Sequence, residues 1–175
     1  MSRKQRLTAD DWLKAGLQAL AASGPEALKA EPLARALETT KGSFYWHFDD
    51  VPRYRQALLD FWRDMSSAMP DAPDEKSVAV SQLQEMMRAG FGGDPATEAA
   101  MRSWSTTDTG VAEAIAALDA ARIAYLEQVL RQLGVTNPHI AKALYAAKVG
   151  MGSLSDDLAD DDALTTLVDL VLALR

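Results

Sequence analysis

The sequence predicts an all-α chain of about nine helices, on three observations. Apolar residues recur at the three- and four-residue spacing of a helix face along most of its length. No segment sustains the period-two alternation of a strand. The pattern breaks at clusters of glycine, proline and aspartate, which stop helices.

The first helix is expected over residues 9–22, with Thr8 as N-cap, Asp10 and Asp11 in its first turn, and Leu13, Leu17 and Leu20 on one face. Ser23-Gly24-Pro25 ends it. A short helix begins near Glu31 with Pro32 at its first position and runs to Leu37. Another spans 41–47 with Thr40 as cap, and Pro52 opens a fourth that carries Leu58, Phe61, Trp62 and Met65.

Pro70-Asp-Ala-Pro73 then interrupts the chain. Helices follow over 75–91, from the Gly92-Gly93-Asp94-Pro95 break to Trp104, and over a long stretch from Val111 to Leu133. Two more lie after Pro138 and after Asp160-Asp-Asp162. No internal repeat or low-complexity tract interrupts this reading.

Composition narrows the class. The chain has 175 residues, 48% of them hydrophobic and 25% charged, in the range of a globular protein. No apolar run reaches a membrane span, and no apolar core follows the basic start, so a cytoplasmic protein is expected. The chain has no cysteine, which excludes disulfides and thiol chemistry. Net charge is −7, but it is segregated. Residues 1–55 hold nine basic and seven acidic side chains, whereas residues 56–175 hold nine and eighteen. An acidic bulk repels phosphate, so a nucleic acid would have to approach the N-terminal segment.

Residues 31–48 read as a helix-turn-helix. The second helix of such a pair enters the major groove amino end first, so its early positions must be polar. Thr40, Lys41 and Ser43 meet that demand, and Gly42 permits close approach. Phe44 and Phe48, four apart, form the apolar anchor. Tyr45, Trp46 and His47 fall on outer faces, where a phenol or imidazole can bond phosphate oxygens. A solvated helix face is the plain alternative for Lys41, Ser43, Tyr45 and His47, and a core role for Trp46. Arg3, Lys4 and Arg6 read either as a solubilising tail or as a basic arm tracking phosphates.

The run Lys41-Gly-Ser-Phe-Tyr-Trp-His-Phe48, with Leu33-Ala34-Arg-Ala-Leu37 before it and Trp12-Leu-Lys-Ala-Gly-Leu17 further upstream, resembles the DNA-binding domain of the tetracycline-repressor (TetR) family. Three positions depart from that family's pattern. Glu38 stands where glycine is common in a turn with positive φ, and Thr39 where an apolar residue is usual. The segment Asp49-Asp50-Val51-Pro52-Arg53 lacks a frequent lysine, for which Arg53 is the candidate replacement as a phosphate contact.

The resemblance implies a DNA-binding domain over 1–52 and a helical effector-binding and dimerisation domain over 53–175. It implies a homodimer on a pseudo-palindromic double-stranded operator, controlled by a small-molecule effector, with no cofactor and no membrane partner. Trp62, Met65, Met86, Phe91, Trp104 and Tyr125 are candidates to line the effector site, because methionine and aromatic side chains suit an adaptable apolar pocket. Plain core is the alternative for each. The small residues Ala143, Ala146, Ala147, Gly150 and Gly152 permit close helix approach, and the family pairs such helices across a two-fold axis.

Other classes find less in the sequence. His139, after Asn137-Pro138, reads as a helix-start residue, and the Asp156 to Asp162 cluster lacks the spacing of a calcium loop. There is no phosphate-cradling glycine loop, no paired histidines and no recognisable carboxylate pair, so an enzyme is not expected. An interaction protein whose helix-turn-helix has lost DNA binding is the remaining alternative. It would have no reason to keep the polar face at residues 40–47.

Overall fold

The computed structural model describes residues 6–154 and 161–173. Among them are nine α-helices, one short 3-10 turn and no strand. The helices are α1 Ala9–Ser23, α2 Ala30–Ala36, α3 Lys41–Phe44, α4 Val51–Ser66, α5 Lys76–Ala89, α6 Pro95–Ser105, α7 Thr109–Gln132, α8 Pro138–Met151 and α9 Asp161–Ala173. The 3-10 turn, Pro25–Ala27, was not expected from the sequence. Lys4 and most of the aspartate cluster, Asp156, Asp157 and Asp160, lie outside the described residues.

The helices gather into two compact units. The first comprises residues up to Met65 together with Asp94–Ile115, and the second comprises Ser66–Gly93 and the chain from Ala116 onward. Hence α1 to α4 share a unit with α6 and the start of α7, and α6 packs on α1.

In the first unit α1 begins with a reciprocal cap. The Thr8 N–H donates to Asp11 Oδ2 at 2.8 Å, and the Asp11 N–H donates to Thr8 Oγ1 at 3.3 Å. These bonds from Thr8 hold the Asp11 carboxyl below its usual pKa. Its buried face carries Trp12, Leu13, Leu17, Leu20 and Gly16. The Tyr54 hydroxyl of α4 donates to the Trp12 carbonyl at 2.9 Å, and burial pushes its pKa above the ordinary phenol value. A Cβ on Gly16 would overlap that hydroxyl, so α4 crosses α1 where α1 has no side chain. Arg55 adds a second tie, from Nη2 to the Pro25 carbonyl at 3.1 Å.

Three expected boundaries change. Helix α2 starts one residue early, at Ala30, which moves Pro32 to its third position. Pro32 lacks only an N–H that the first helical turn leaves unbonded anyway, so the helix accepts it there. Pro52 is likewise second in α4, behind Val51. Helix α3 ends at Phe44 rather than at His47. The chain then closes through Phe44, whose carbonyl accepts from His47 N–H at 3.0 Å and Phe48 N–H at 3.1 Å. Phe44 and Phe48 are both buried, and Asp50 Oδ1 accepts from Arg53 N–H at 2.7 Å at the start of α4.

The second unit is a helical core built from Leu83, Met87, Leu126, Val129, Leu144 and Val168, on α5, α7, α8 and α9. A buried polar group lies within it. The Tyr145 hydroxyl donates to Asp119 Oδ1 at 2.6 Å, and the buried Arg122 guanidinium sits 5.3 Å from the Phe91 ring centre. Burial, then the Asp119 bond, raises the Tyr145 pKa. Asn137 caps α8, its Oδ1 accepting from His139 N–H at 3.0 Å, so His139 is at a helix start as expected.

Candidate nucleic-acid interface

The turn between α2 and α3 is a helix C-cap of the Schellman type. Thr39 N–H donates to the Ala34 carbonyl at 2.8 Å and Glu38 N–H to Arg35 at 3.1 Å. This geometry puts the residue after the cap in the left-handed region, and Glu38 has φ 49° there. The sequence left open whether a glutamate at this glycine position would force another turn. The turn keeps its geometry and carries the strain. Glu38→Gly should therefore raise the unfolding free energy by about 0.5–1 kcal/mol, the net of relieved strain and added unfolded-state entropy. Urea unfolding checks this, and a loss of stability would contradict it.

Helix α3 has only four residues and could not persist alone. Phe44 holds it in place, with ring centres 5.4 Å from Trp12, 5.1 Å from Tyr54 and 5.3 Å from Phe48. With that anchor buried, the polar residues of the same segment face outward. Lys41 and Gly42 are exposed, and Thr40 is exposed at the N-cap position. Contrary to expectation, the Thr40 side chain makes no capping bond. Ser43 N–H donates instead to the Thr40 carbonyl, at 2.9 Å. A Cβ at Gly42 would meet nothing nearer than Thr40 Oγ1 at 3.7 Å, so the surface there is open to a close neighbour.

Tyr45 is 47% exposed and Trp46 80%, so Trp46 is not core. Trp12, Trp62 and Trp104 are by contrast buried. Lys41 Nζ sits 6.0 Å from the centre of the Tyr45 ring. Arg6, Thr40, Gly42, Ser43, Trp46 and His47, with Leu7, line one open recess of about 290 Å³. Six of the ten expected DNA-contact residues thus share one surface feature. Arg53 is exposed at the start of α4, outside that lining. The sequence reading missed Leu7 and the proximity of Asp11 to His47. The Thr8-x-x-Asp11 capping spacing was the available signal for where Asp11 sits.

The six expected effector residues fall three in each unit. Trp62 and Trp104 are buried in the first unit, and Met65 there is 57% exposed. In the second unit Met86 and Phe91 line a recess of about 250 Å³ with Met69, Pro70, Gln82 and Glu85. The buried Tyr125 adjoins it, its hydroxyl 3.1 Å from both Gln82 Oε1 and the Asp71 carbonyl. Among the described residues no group of histidine and carboxylate side chains is placed to hold a metal ion. No described helix is long and apolar enough to cross a membrane.

The all-helical fold carries a helix-turn-helix, α2 and α3, bracketed by α1 and α4. Residues 13–50 match the family model described as bacterial regulatory proteins, tetR family. No curated protein sequence matches the chain. Solved structures share its fold over nearly the whole length. One from Rhodococcus sp., assigned to the TetR family, superposes with a TM-score of 0.67 at 18% identity, covering 94% of this chain and 98% of the other. A TetR transcription regulator from Haloarcula marismortui gives 0.66 at 17%, covering 93% of each. Salmonella enterica GusR gives 0.64 at 18%, covering 99% and 97%.

Proposed function

We propose that this protein is a ligand-responsive repressor that binds a pseudo-palindromic operator as a homodimer. The observation that carries the reading is the exposed Thr40, Lys41, Tyr45 and Trp46, with the half-buried Ser43 and His47, over a buried Phe44. In this reading residues 1–52 bind DNA and residues 53–175 bind the effector and the second copy.

Lys41, with Thr40 and Ser43, contacts base edges or adjacent phosphates. Tyr45, Trp46, His47 and Arg53 hold the backbone, and the basic N-terminal residues Lys4 and Arg6 follow the phosphates. The dimer is supported by the exposed Ala143, Ala146 and Gly150 on α8 and by Leu170, 60% exposed, on α9. Such small side chains let helices approach closely. A second recognition helix also adds the reach that one alone lacks, since each reads only a few base pairs. The apolar recess at Met86 and Phe91 supports a small apolar effector. The effector releases DNA only by binding the free state more tightly than the bound one.

Selecting bound sequences from a random DNA pool tests this reading. An inverted repeat is the expected outcome, and no enrichment would refute it. On the selected duplex, Lys41→Ala should weaken binding by about 1–3 kcal/mol if it reads a base. If Lys41→Ala and Tyr45→Phe both leave the mobility-shift titration unchanged, the contact assignment fails. About five phosphate contacts per chain imply a slope of roughly −9 in log K against log salt for the dimer.

A further inference from the structure

We propose that residues 67–75, between α4 and α5, are a strap that gates the recess at Met86 and Phe91. Tyr125 and Gln82 latch it at the Asp71 carbonyl, and a small uncharged aromatic molecule enters behind it. This rests on the effector reading above and adds to it the ligand's chemical class and the gate on its exchange.

The strap forms no helix between the end of α4 at Ser66 and the start of α5 at Lys76. Met69 and Pro70 on it make one wall of the recess. The next residue, Asp71, holds that wall. Its carbonyl lies 3.1 Å from the Tyr125 hydroxyl and accepts from Gln82 Nε2 at 3.3 Å. The same hydroxyl lies 3.1 Å from Gln82 Oε1. A phenol has one hydrogen, so it donates fully either to the strap or to Gln82. When it turns to Gln82, the longer of the two ties to the carbonyl remains. Tyr125 is buried on α7, so the latch is fixed and the strap is the part that moves. Burial, then the Asp71 charge, raises the Tyr125 pKa, so the phenol stays a donor through neutral pH.

The lining sets the ligand's chemistry. Met69 from the strap and Met86 from α5 bring polarizable thioethers, which favour an aromatic partner. Phe91 adds a ring whose place is fixed, 5.5 Å from the Tyr145 ring centre and 5.3 Å from the Arg122 guanidinium. Glu85 is the one charged side chain among the described lining residues, and it already accepts twice from Arg88 Nη2, at 2.8 Å. Lys148, close to Gly90 of the lining, donates to the Arg88 carbonyl at 3.0 Å. A ligand anion would thus meet a carboxylate and two cations that already have partners. A volume of about 250 Å³ lies just below the usual range for drug-sized pockets, so the ligand is small.

Stopped-flow fluorescence of the full chain with N-phenylnaphthylamine, an uncharged aromatic probe that brightens in apolar surroundings, tests this. Binding should saturate, and its sulfonated analogue, anilinonaphthalene sulfonate, should bind at least about tenfold more weakly. Tyr125→Phe should speed entry and exit together, each by roughly threefold to tenfold, the range for one lost hydrogen bond. The dissociation constant should move much less, because the latch closes over the free and the filled recess alike. A residue that merely touched the ligand would change affinity through exit. Met69→Asp, which puts a carboxylate in the strap wall, should weaken the probe by about tenfold or more while helix content by circular dichroism stays unchanged. Equal affinity for the two probes, no binding, or no effect of Met69→Asp would overturn the aromatic site. Unchanged rates in Tyr125→Phe would overturn the gate. Adding the probe to the complex with a selected duplex separates this from the effector reading. Gated binding without release of DNA would overturn that reading and leave the strap standing.

Discussion

Phe44→Ala is expected to lower the unfolding free energy by about 3–5 kcal/mol, the range for truncating a fully buried phenylalanine. The ring has no exposed surface, and it meets Trp12, Tyr54 and Phe48 at centre distances between 5.1 and 5.4 Å. Two of these partners come from the flanking helices, α1 and α4, so no neighbour on α3 itself can replace the lost contacts. A four-residue helix has no stability of its own to fall back on. The variant should thus lose the placement of residues 40–47 as well as stability. Urea unfolding followed by tryptophan fluorescence measures the effect. The control is Trp46→Ala, two residues on and 80% exposed, which should stay within about 0.5 kcal/mol of the unaltered protein. A loss of less than about 1 kcal/mol in Phe44→Ala would mean that the cluster does not hold the recognition segment.

Gly16→Ala should destabilise the first unit by about 2–4 kcal/mol, although alanine is the better helix former. The added methyl would occupy the place of the Tyr54 hydroxyl, with the ring's Cζ at 3.0 Å and Leu58 Cδ1 at 3.1 Å. Tyr54 would have to swing away, breaking its bond to the Trp12 carbonyl and opening the contact between α4 and α1. Tyr54→Phe removes the obstructing oxygen. Alone it should cost about 0.5–1.5 kcal/mol for the lost hydrogen bond. In that background Gly16→Ala should be milder, with a coupling energy above about 1 kcal/mol in the double-mutant cycle. Additive losses would show that the two residues do not meet as the structure places them.

These two sites illustrate how far the sequence could be read. Phe44 and Phe48 were legible as the anchor because a four-residue spacing puts two apolar rings on one helix face. Gly16 was visible only as an isolated glycine within a helix, which signals a close approach without naming the partner. Tyr54 is 38 positions later, and no local pattern connects them. Glu38 was readable as a departure from glycine, and its φ of 49° confirms the conflict. Only the bonds of Thr39 and Glu38 to Ala34 and Arg35 establish that the turn geometry persists despite it. The candidate effector residues were the least legible. Aromatic and methionine side chains at helical spacing look alike in a core and in a recess, and the structure puts Met86 and Phe91 in a recess lining while Met65 is exposed.

The sequence by itself determined the all-helical class, a succession of about nine helices and the place of the helix-turn-helix. These follow from periodicity, caps and breakers, which act over a few residues. Only the tertiary structure decided where α3 ends, that Trp46 points outward, and that α6 joins the unit of α1 to α4. It also brought Arg6 onto the same recess as His47, 41 positions away in the chain. Such features depend on which distant side chains compete for the same buried space.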